Sequence, residues 1–280
     1  MTYEEFWKPL TQVYDAGEAK AVGRLVMEMR FGLSMTDLVC GRTGDDAEMR
    51  ALQQRLLTGE PVQYILGEAE FGGRIFHVEP GVLIPRPETY ELCQWIVRGE
   101  EQGAKSKKCS ILDIGTGSGC IACTLATEIP TAQVTAWDIS DDALRIASEN
   151  AKLHGVHVEF KKVDALHPTT DTEHHSLAAY DMIVSNPPYI CNKERKTMEA
   201  NVLEHEPHLA LFVPDDDPLL FYRAIARYAA KALTPNGQLF FEINPLYADE
   251  MQKMLNEEGF RHTEIRQDQF GKQRFTKSWL

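Results

Sequence analysis

Strand-like and helix-like segments alternate along the second half of the chain, and this alternation limits the fold more than any other feature. The runs SILDIG at 110–115 and QVTAWDIS at 133–140 are rich in branched apolar and aromatic residues, and each precedes a run with helical spacing. The same pattern predicts strands in VEFKKVDA, YDMIVSN and GQLFFEI. Strands that alternate with helices form parallel sheets. We therefore predict an α/β domain over 109–280 with a mostly parallel sheet, ending in a hairpin around Gly271.

The first part of the chain has a different pattern. Apolar residues such as Phe6, Leu10, Val22 and Val26 recur at helical spacing, which predicts a small helical bundle over 1–68. No residue type typical of catalysis stands out there, so we interpret this domain as a structural cap or a partner-docking module.

A connector over 69–108 joins the two parts. EAEFGGRIFHVEPG at 68–81 predicts a β-hairpin, and the prolines of VLIPRPET predict a structured turn. The polar segment at 98–108 is typical of an exposed loop.

Composition excludes several classes of protein. The formal net charge is −13, which opposes nucleic-acid binding through the overall field of the protein. The chain has no apolar run of membrane-spanning length and no N-terminal signal core, so we expect a cytoplasmic protein. Cys120 and Cys123 have Cys-x-x-Cys spacing, but they lie in the apolar run CIACTLA without a second pair. We interpret them as helix packing residues and expect no metal.

A glycine-rich turn follows the first strand of the α/β part. In LDIGTGSGC, Asp113 precedes Gly115, Gly117 and Gly119, where glycine permits positive φ and close approach of a ligand. About 20 residues further, Asp138 ends the second strand, where an acid can bind ribose hydroxyls.

The charge of this site discriminates between ligands. A pyrophosphate would be repelled by Asp113, whereas a cationic group such as the amino end of S-adenosylmethionine would be attracted. A third acid, Asp164, ends the third strand, where an adenine is expected. Three acids at three strand ends favour a positively charged nucleoside ligand over three unrelated surface carboxylates.

The motif NPPY, residues 186–189, follows the fourth strand. Ligands of open α/β sheets bind outside the carboxyl ends of the strands, so Asn186 is expected beside the cofactor. Its side-chain oxygen and the Pro187 carbonyl together can accept both hydrogens of a substrate –NH2 group. Pro187 and Pro188 make this clamp rigid, and the Tyr189 ring can pack on a planar substrate group.

This clamp fits methyl transfer to a planar nitrogen. Such a nitrogen is a poor nucleophile because its lone pair is delocalised. Holding both N–H groups orients the nitrogen and stabilises the positive charge that develops there. The motif alone leaves open whether the –NH2 belongs to a glutamine amide or to an adenine.

DIGTGSG, SNPPYI and VLIPRPET together resemble the HemK/PrmC family of protein-(glutamine-N5) methyltransferases, and the likeness extends to EPVQYILGEAEF and DQFGKQR. The resemblance implies a class I, Rossmann-like S-adenosylmethionine-dependent methyltransferase domain with a seven-stranded sheet. The implied substrate is the glutamine of the Gly-Gly-Gln motif of peptide-chain release factors, and S-adenosylhomocysteine is the product. The resemblance also implies that the cofactor is bound by residues 115–119, Asp138, Asp164 and Ala165. The four NPPY residues would hold the glutamine amide, with Asn186 also touching the cofactor.

Three positions depart from the family pattern: Tyr90 replaces an acid, Ala165 a bulky residue and Asn244 a glycine. The acidic charge favours a protein substrate over DNA or RNA, and we expect a monomer without direct nucleic-acid binding. Methylation of a ribosomal-protein glutamine, adenine-N6 methylation and an inactive scaffold remain the alternatives.

Overall fold

A computed structural model of the chain describes residues 1–101, 108–168 and 179–280, except for the side chains at 100 and 101. These residues form two compact units. The first unit consists of Met1–Glu68, Val78–Pro80 and Met198–Glu206, and the second of Ala69–His77, Gly81–Thr197 and Pro207–Leu280.

The N-terminal part is helical, as the apolar spacing predicts. Its buried side chains, among them Phe6, Leu10, Val26, Met27 and Leu56, form one hydrophobic cluster. The helices are α1 (Tyr3–Trp7), a 3-10 helix (Lys8–Gln12), α2 (Ala16–Phe31), α3 (Met35–Val39), α4 (Asp46–Leu57) and α5 (Val62–Leu66).

Seven further helices follow along the described chain. They are α6 (Pro87–Glu101), α7 (Cys120–Glu128), α8 (Asp141–Leu153), α9 (Ala200–His205), α10 (His208–Leu211), α11 (Leu220–Ala232) and α12 (Ala248–Glu257), with 3-10 turns at Asn192–Thr197 and Pro245–Tyr247. In this part of the chain, none of the described helices is both long and apolar enough to cross a membrane, and the same holds for α1 to α5.

The strands confirm the predicted sheet. They are β1 (Glu68–Phe71), β2 (Arg74–His77), β3 (Cys109–Ile114), β4 (Ala132–Asp138), β5 (Val158–Lys162), β6 (Tyr180–Ser185), β7 (Ile190–Cys191), β8 (Phe212–Val213), β9 (Leu233–Glu242), β10 (His262–Gln267) and β11 (Gln273–Trp279). Seven of them form one sheet in the order β10-β11-β9-β6-β3-β4-β5. Only β11 runs against its neighbours, since its pairings with β9 and β10 are antiparallel and the others are parallel. The predicted hairpins are β1–β2 and β10–β11.

Both faces of this sheet are buried. Successive residues of a strand point to opposite faces, so neighbouring residues of one strand pack against different helices. Along β6, Met182 and Val184 join a cluster with side chains of α6 and α7. Ile183, between them, joins a cluster with side chains of α11 and α12. This part of the chain is therefore a three-layer α/β structure.

The structure differs from two sequence-based expectations. The predicted loop at 98–108 is helical through Glu101, because α6 continues beyond its apolar face, and 102–107 lie outside the described residues. Residues 198–206, expected in the methyltransferase domain, belong to the same unit as the N-terminal helices. Contacts between segments so distant in sequence leave no local pattern.

Candidate active site

The carboxyl ends of the central strands meet in matched register. Ile114 at the end of β3 pairs with Ser185 of β6, and Ser185 pairs with Phe241 of β9. The next residues in each strand, including Gly115 and Asn186, therefore leave the sheet side by side. This is the edge at which open α/β sheets bind ligands.

A cleft of about 380 Å³ lies at this edge, within the size range of small-molecule sites. Eight of the residues predicted from sequence line it: Gly115, Gly117, Asp138, Asp164, Ala165, Asn186, Pro187 and Pro188. The other lining residues are largely apolar, and include Val82, Leu83, Ile139, Leu209 and Phe221. Sequence reasoning missed these apolar walls because their side chains carry no chemical signature.

The glycine turn depends on the absence of side chains. Gly117 has a φ of 55° and lines the cleft. Gly119 has a φ of 80°, and a Cβ atom there would lie 2.9 Å from that of Ala147. Glycine is needed at Gly117 by conformation and at Gly119 by conformation and packing.

Asp138 connects this turn to the second strand. Its Oδ2 accepts a hydrogen bond from the Gly117 N–H at 2.9 Å, and its Oδ1 accepts one from the Ser140 N–H at 2.9 Å. Burial raises the pKa of this carboxyl, and the backbone N–H groups oppose that rise. Each carboxylate oxygen has a second lone pair, so Asp138 fits the role of a ribose acceptor at the cleft wall.

Asp113 is placed differently from the other two acids. Its side chain is fully buried and does not line the cleft. Oδ2 accepts a hydrogen bond from the Thr116 hydroxyl at 2.6 Å, and no donor among the described residues reaches Oδ1. Burial raises the pKa of Asp113 to about 7, with a further rise from the charge of Asp138. The carboxyl thus stabilises the glycine turn through its hydrogen bond with Thr116, within the protein interior.

This carboxyl should make stability depend on pH. The folded-state pKa is about 7 against an ordinary 3.8, so its stabilising contribution is full below pH 3.8 and is lost as the pH rises through 7. Between about pH 5 and about pH 8, the free energy of unfolding of the wild-type protein should therefore fall by about 2 to 3 kcal/mol relative to that of Asp113→Asn. Urea unfolding of both proteins at the two pH values measures this difference. A constant difference would show that Asp113 does not titrate in this range.

The third acid and its neighbour lie where the sequence predicts. Asp164 follows β5, and its carboxylate accepts a hydrogen bond from the Leu166 N–H at 2.8 Å and contacts His167 Nδ1 at 3.0 Å. The hydrogen bond with His167 lowers the pKa of Asp164. Ala165 lines the cleft without a large side chain. Thr116 and Ser118 are buried in the turn and do not line the cleft, so they could reach a ligand only through backbone atoms.

The amide of Asn186 has a defined direction. Its Nδ2 donates a hydrogen bond to the Thr89 hydroxyl oxygen at 3.1 Å. Within 1–101, 108–168 and 179–280, no donor reaches Oδ1, and the residue lines the cleft beside Pro187. The structure therefore presents a free amide oxygen as an acceptor at the cleft wall.

Tyr189 is held at two points and does not line the cleft. Its hydroxyl donates to Glu242 Oε1 at 3.1 Å, and its carbonyl accepts from Asn244 Nδ2 at 3.1 Å. Burial, followed by the charge of Glu242, raises the pKa of Tyr189 well above its ordinary value. Stacking of this ring on a substrate remains a prediction.

Two departures from the family pattern have structural roles. Asn244 also donates to the Glu194 carboxylate at 3.1 Å, which anchors the segment after NPPY. Tyr90 packs edge-on against Phe71, with ring centroids 5.4 Å apart, and lies under Gly72. Neither residue lines the cleft.

The two closely spaced cysteines confirm the packing interpretation. Cys120 and Cys123 lie on α7 with 8% and 1% exposure, inside the hydrophobic core. Burial raises the pKa of each thiol to about 12, so both are protonated at neutral pH.

Comparison with known proteins identifies relatives over nearly the whole chain. Residues 10–67 match the PrmC N-terminal domain, and residues 101–209 match the methyltransferase small domain. A release factor glutamine methyltransferase of Bacteroides thetaiotaomicron is 43% identical over 95% of this chain and 94% of its own length. A release factor glutamine methyltransferase of Flavobacterium psychrophilum is 42% identical over 98% of this chain and 96% of its own.

A solved structure supports the fold. A 16S rRNA methyltransferase of T. thermophilus, in complex with AdoMet and guanosine, superposes with a TM-score of 0.54 at 19% identity. The match covers 76% of this chain and 49% of that one. At this identity the match supports the class I methyltransferase fold alone and says nothing about the substrate.

Proposed function

Because this chain belongs to the release factor glutamine methyltransferase family, we propose that it methylates the Gly-Gly-Gln glutamine of peptide-chain release factors at the side-chain amide nitrogen. The observation that carries this proposal is the direction of the Asn186 amide. Its nitrogen donates to Thr89, so its oxygen is the group offered to the cleft. A carboxamide –NH2 is the complementary donor for that oxygen and the neighbouring Pro187 carbonyl.

The cleft fits S-adenosylmethionine as the second substrate. We assign the ribose hydroxyls to Asp138, the adenine to the Asp164–Ala165 turn, and close backbone contact to Gly115 and Gly117. When bound, S-adenosylmethionine supplies a methyl group activated by a sulfonium and leaves as S-adenosylhomocysteine. The apolar walls exclude water, which strengthens electrostatic interactions within the cleft.

The acceptor pair performs two tasks in methyl transfer. Asn186 Oδ1 and the Pro187 carbonyl hold the two N–H groups, which fixes the nitrogen relative to the cleft. They also stabilise the positive charge that develops on nitrogen as the new C–N bond forms and the bond from the methyl carbon to sulfur breaks. The charge is removed when the nitrogen releases one of its two hydrogens as a proton to solvent. Neither task needs a metal ion, and we propose that none takes part.

Intact-mass measurement tests the proposed substrate class. The protein is incubated with S-adenosylmethionine and, separately, with a release factor, a set of ribosomal proteins and adenine-containing DNA. We expect the mass of one methyl group to appear on the release factor. Methyl transfer confined to ribosomal protein or DNA would assign the enzyme to one of those substrates instead.

The net charge of −13 supports a protein substrate, and we further propose that the enzyme acts as a cytoplasmic monomer.

We propose that the helical N-terminal unit docks the release factor. Truncating residues 1–68 is a poor test, since 198–206 pack with those residues and follow the NPPY segment closely. Substitutions on the surface avoid this problem. Met35 and Val39, four residues apart on α3, are 51% and 78% exposed and form an apolar surface pair.

Replacing both Met35 and Val39 by Glu should raise KM for intact release factor about fivefold or more, because charge would enter an apolar contact. The turnover rate and S-adenosylmethionine affinity should not change. Leu153→Glu, at a position 63% exposed on α8, is the matched control. Steady-state kinetics of the three proteins measures the effect, and an unchanged KM in the double variant would remove α3 from the docking surface.

A further inference from the structure

Thr89 and Glu242 form a hydrogen-bonded chain behind the NPPY motif. The Thr89 hydroxyl donates to Glu242 Oε2 at 2.7 Å and accepts from Asn186 Nδ2 at 3.1 Å. Neither Thr89 nor Glu242 lines the cleft. We propose that these two are positioning residues which fix the direction of the Asn186 amide, and the glutamine substrate in this inference rests on the proposed function.

An asparagine amide can occupy its site in two ways that differ by a half-turn. One presents an acceptor oxygen to the cleft, and the other presents an –NH2 group. Only the first can hold a substrate –NH2, because two donors cannot bond to each other. The catalytic value of Asn186 therefore depends on what lies on the other side of its amide.

The Thr89 hydroxyl decides between the two directions. A hydroxyl has one hydrogen, and Thr89 donates it to Glu242, so its oxygen is left with lone pairs alone. The Asn186 nitrogen must then face Thr89, and the oxygen faces the cleft. If Thr89 donated to Asn186 instead, the amide would turn and the clamp would lose its acceptor.

Glu242 keeps the Thr89 hydroxyl in this direction. Its carboxylate is 2% exposed, and both of its oxygens accept, Oε2 from Thr89 and Oε1 from the Tyr189 hydroxyl. The carbonyl of Glu242 accepts from the Tyr222 hydroxyl at 3.0 Å, which holds the strand end in place. One side chain of β9 thus orients both the first and the last residue of the NPPY motif.

The chain assembles this arrangement from three distant segments. Phe241 pairs with Ser185, so Glu242 and Asn186 follow at the same level of the sheet. Thr89 comes from the first turn of α6, whose side chains pack against the sheet in the same cluster as Met182 and Val184 of β6. A buried carboxylate usually destabilises a fold relative to an apolar residue, which favours a functional reason for its presence.

Thr89→Val tests the inference, because valine keeps the shape and removes the hydroxyl. Without its acceptor the Asn186 amide turns freely, and the single-turnover rate at saturating S-adenosylmethionine should fall roughly tenfold to a hundredfold. Thr89→Ser should restore the rate to within about twofold of wild type, because it returns the hydroxyl. S-adenosylmethionine affinity should be similar in all three. Thr89→Val should have a lower unfolding midpoint, because the buried Glu242 carboxylate loses a donor, so the rates are compared at a temperature at which all three proteins are folded.

Thr124→Val is the matched control. Thr124 is also fully buried in this unit, and its hydroxyl has no hydrogen-bond partner among the described residues. Its replacement should leave the rate within about twofold of wild type. A Thr89→Val rate within the same range would overturn the inference. So would a loss that Thr89→Ser does not restore, because it would reflect packing.

A second measurement separates this inference from the proposed function. The side-chain NH2 signals of Asn186, assigned by their loss in Asn186→Ala, are followed by ¹⁵N NMR of the protein without substrate. Thr89→Val should shift them, and Thr89→Ser and Thr124→Val should not. If wild-type protein fails to methylate release factor, the proposed function fails, and these signals still decide the role of Thr89. Unmoved signals in Thr89→Val would overturn it.

Discussion

Asn186→Ala should lower the rate of methyl transfer about a hundred- to a thousandfold, the usual effect of removing one preorganised hydrogen-bonding group from an active site. The variant keeps β6 and both prolines but loses the amide oxygen that we propose accepts from the substrate. The Pro187 carbonyl alone would let the substrate amide rotate. The fold and much of the S-adenosylmethionine affinity should survive.

Asn186→Asp is the matched comparison for this prediction. It keeps an acceptor toward the cleft but places a second oxygen against Thr89, whose hydrogen is already donated to Glu242. We expect partial activity, above that of the alanine variant. Both variants are compared by their single-turnover rates with a release factor. A near-normal rate for Asn186→Ala would show that NPPY is only a structural turn and would exclude the proposed clamp.

Asp138→Ala should weaken S-adenosylmethionine binding by about 1.5 to 3 kcal/mol, the range for a hydrogen bond to a charged group. This corresponds to roughly a tenfold to more than a hundredfold rise in Kd. The ribose would lose its charged acceptor, and the Gly117 and Ser140 N–H groups would lose theirs.

Calorimetric titration measures this change in Kd. Asp249→Ala, which removes an exposed carboxylate on α12 away from the cleft, controls for the change in net charge. Unchanged affinity in Asp138→Ala would remove this carboxylate from the cofactor site.

The predicted sheet and most of the cleft follow from local patterns. Neighbouring parallel strands end in register, so a residue at a strand end, such as Asp138, or just after one, such as Gly115 or Asn186, could be placed at the ligand edge without coordinates. Asp113 shows the limit of this reasoning. It lies one residue before the end of β3, where its side chain is fully buried in the packed interior.

The supporting contacts could not be predicted from sequence. Thr89 and Glu242 lie 153 residues apart, and nothing local to either indicates the hydrogen bond between them. The packing of 198–206 with the N-terminal helices is hidden for the same reason. The family resemblance marked Asn244 as unusual, but its hydrogen bonds to Tyr189 and Glu194 appear only in the fold.

Peptide mapping by fragment mass spectrometry tests the central claim most directly. A release factor is incubated with the protein and S-adenosylmethionine, digested, and its methylated peptide is fragmented to locate the new methyl group. Our account predicts one methyl group on the side-chain amide of the Gly-Gly-Gln glutamine with wild-type protein, and almost none with Asn186→Ala. A methyl group on any other residue, or an equal yield from the alanine variant, would contradict it.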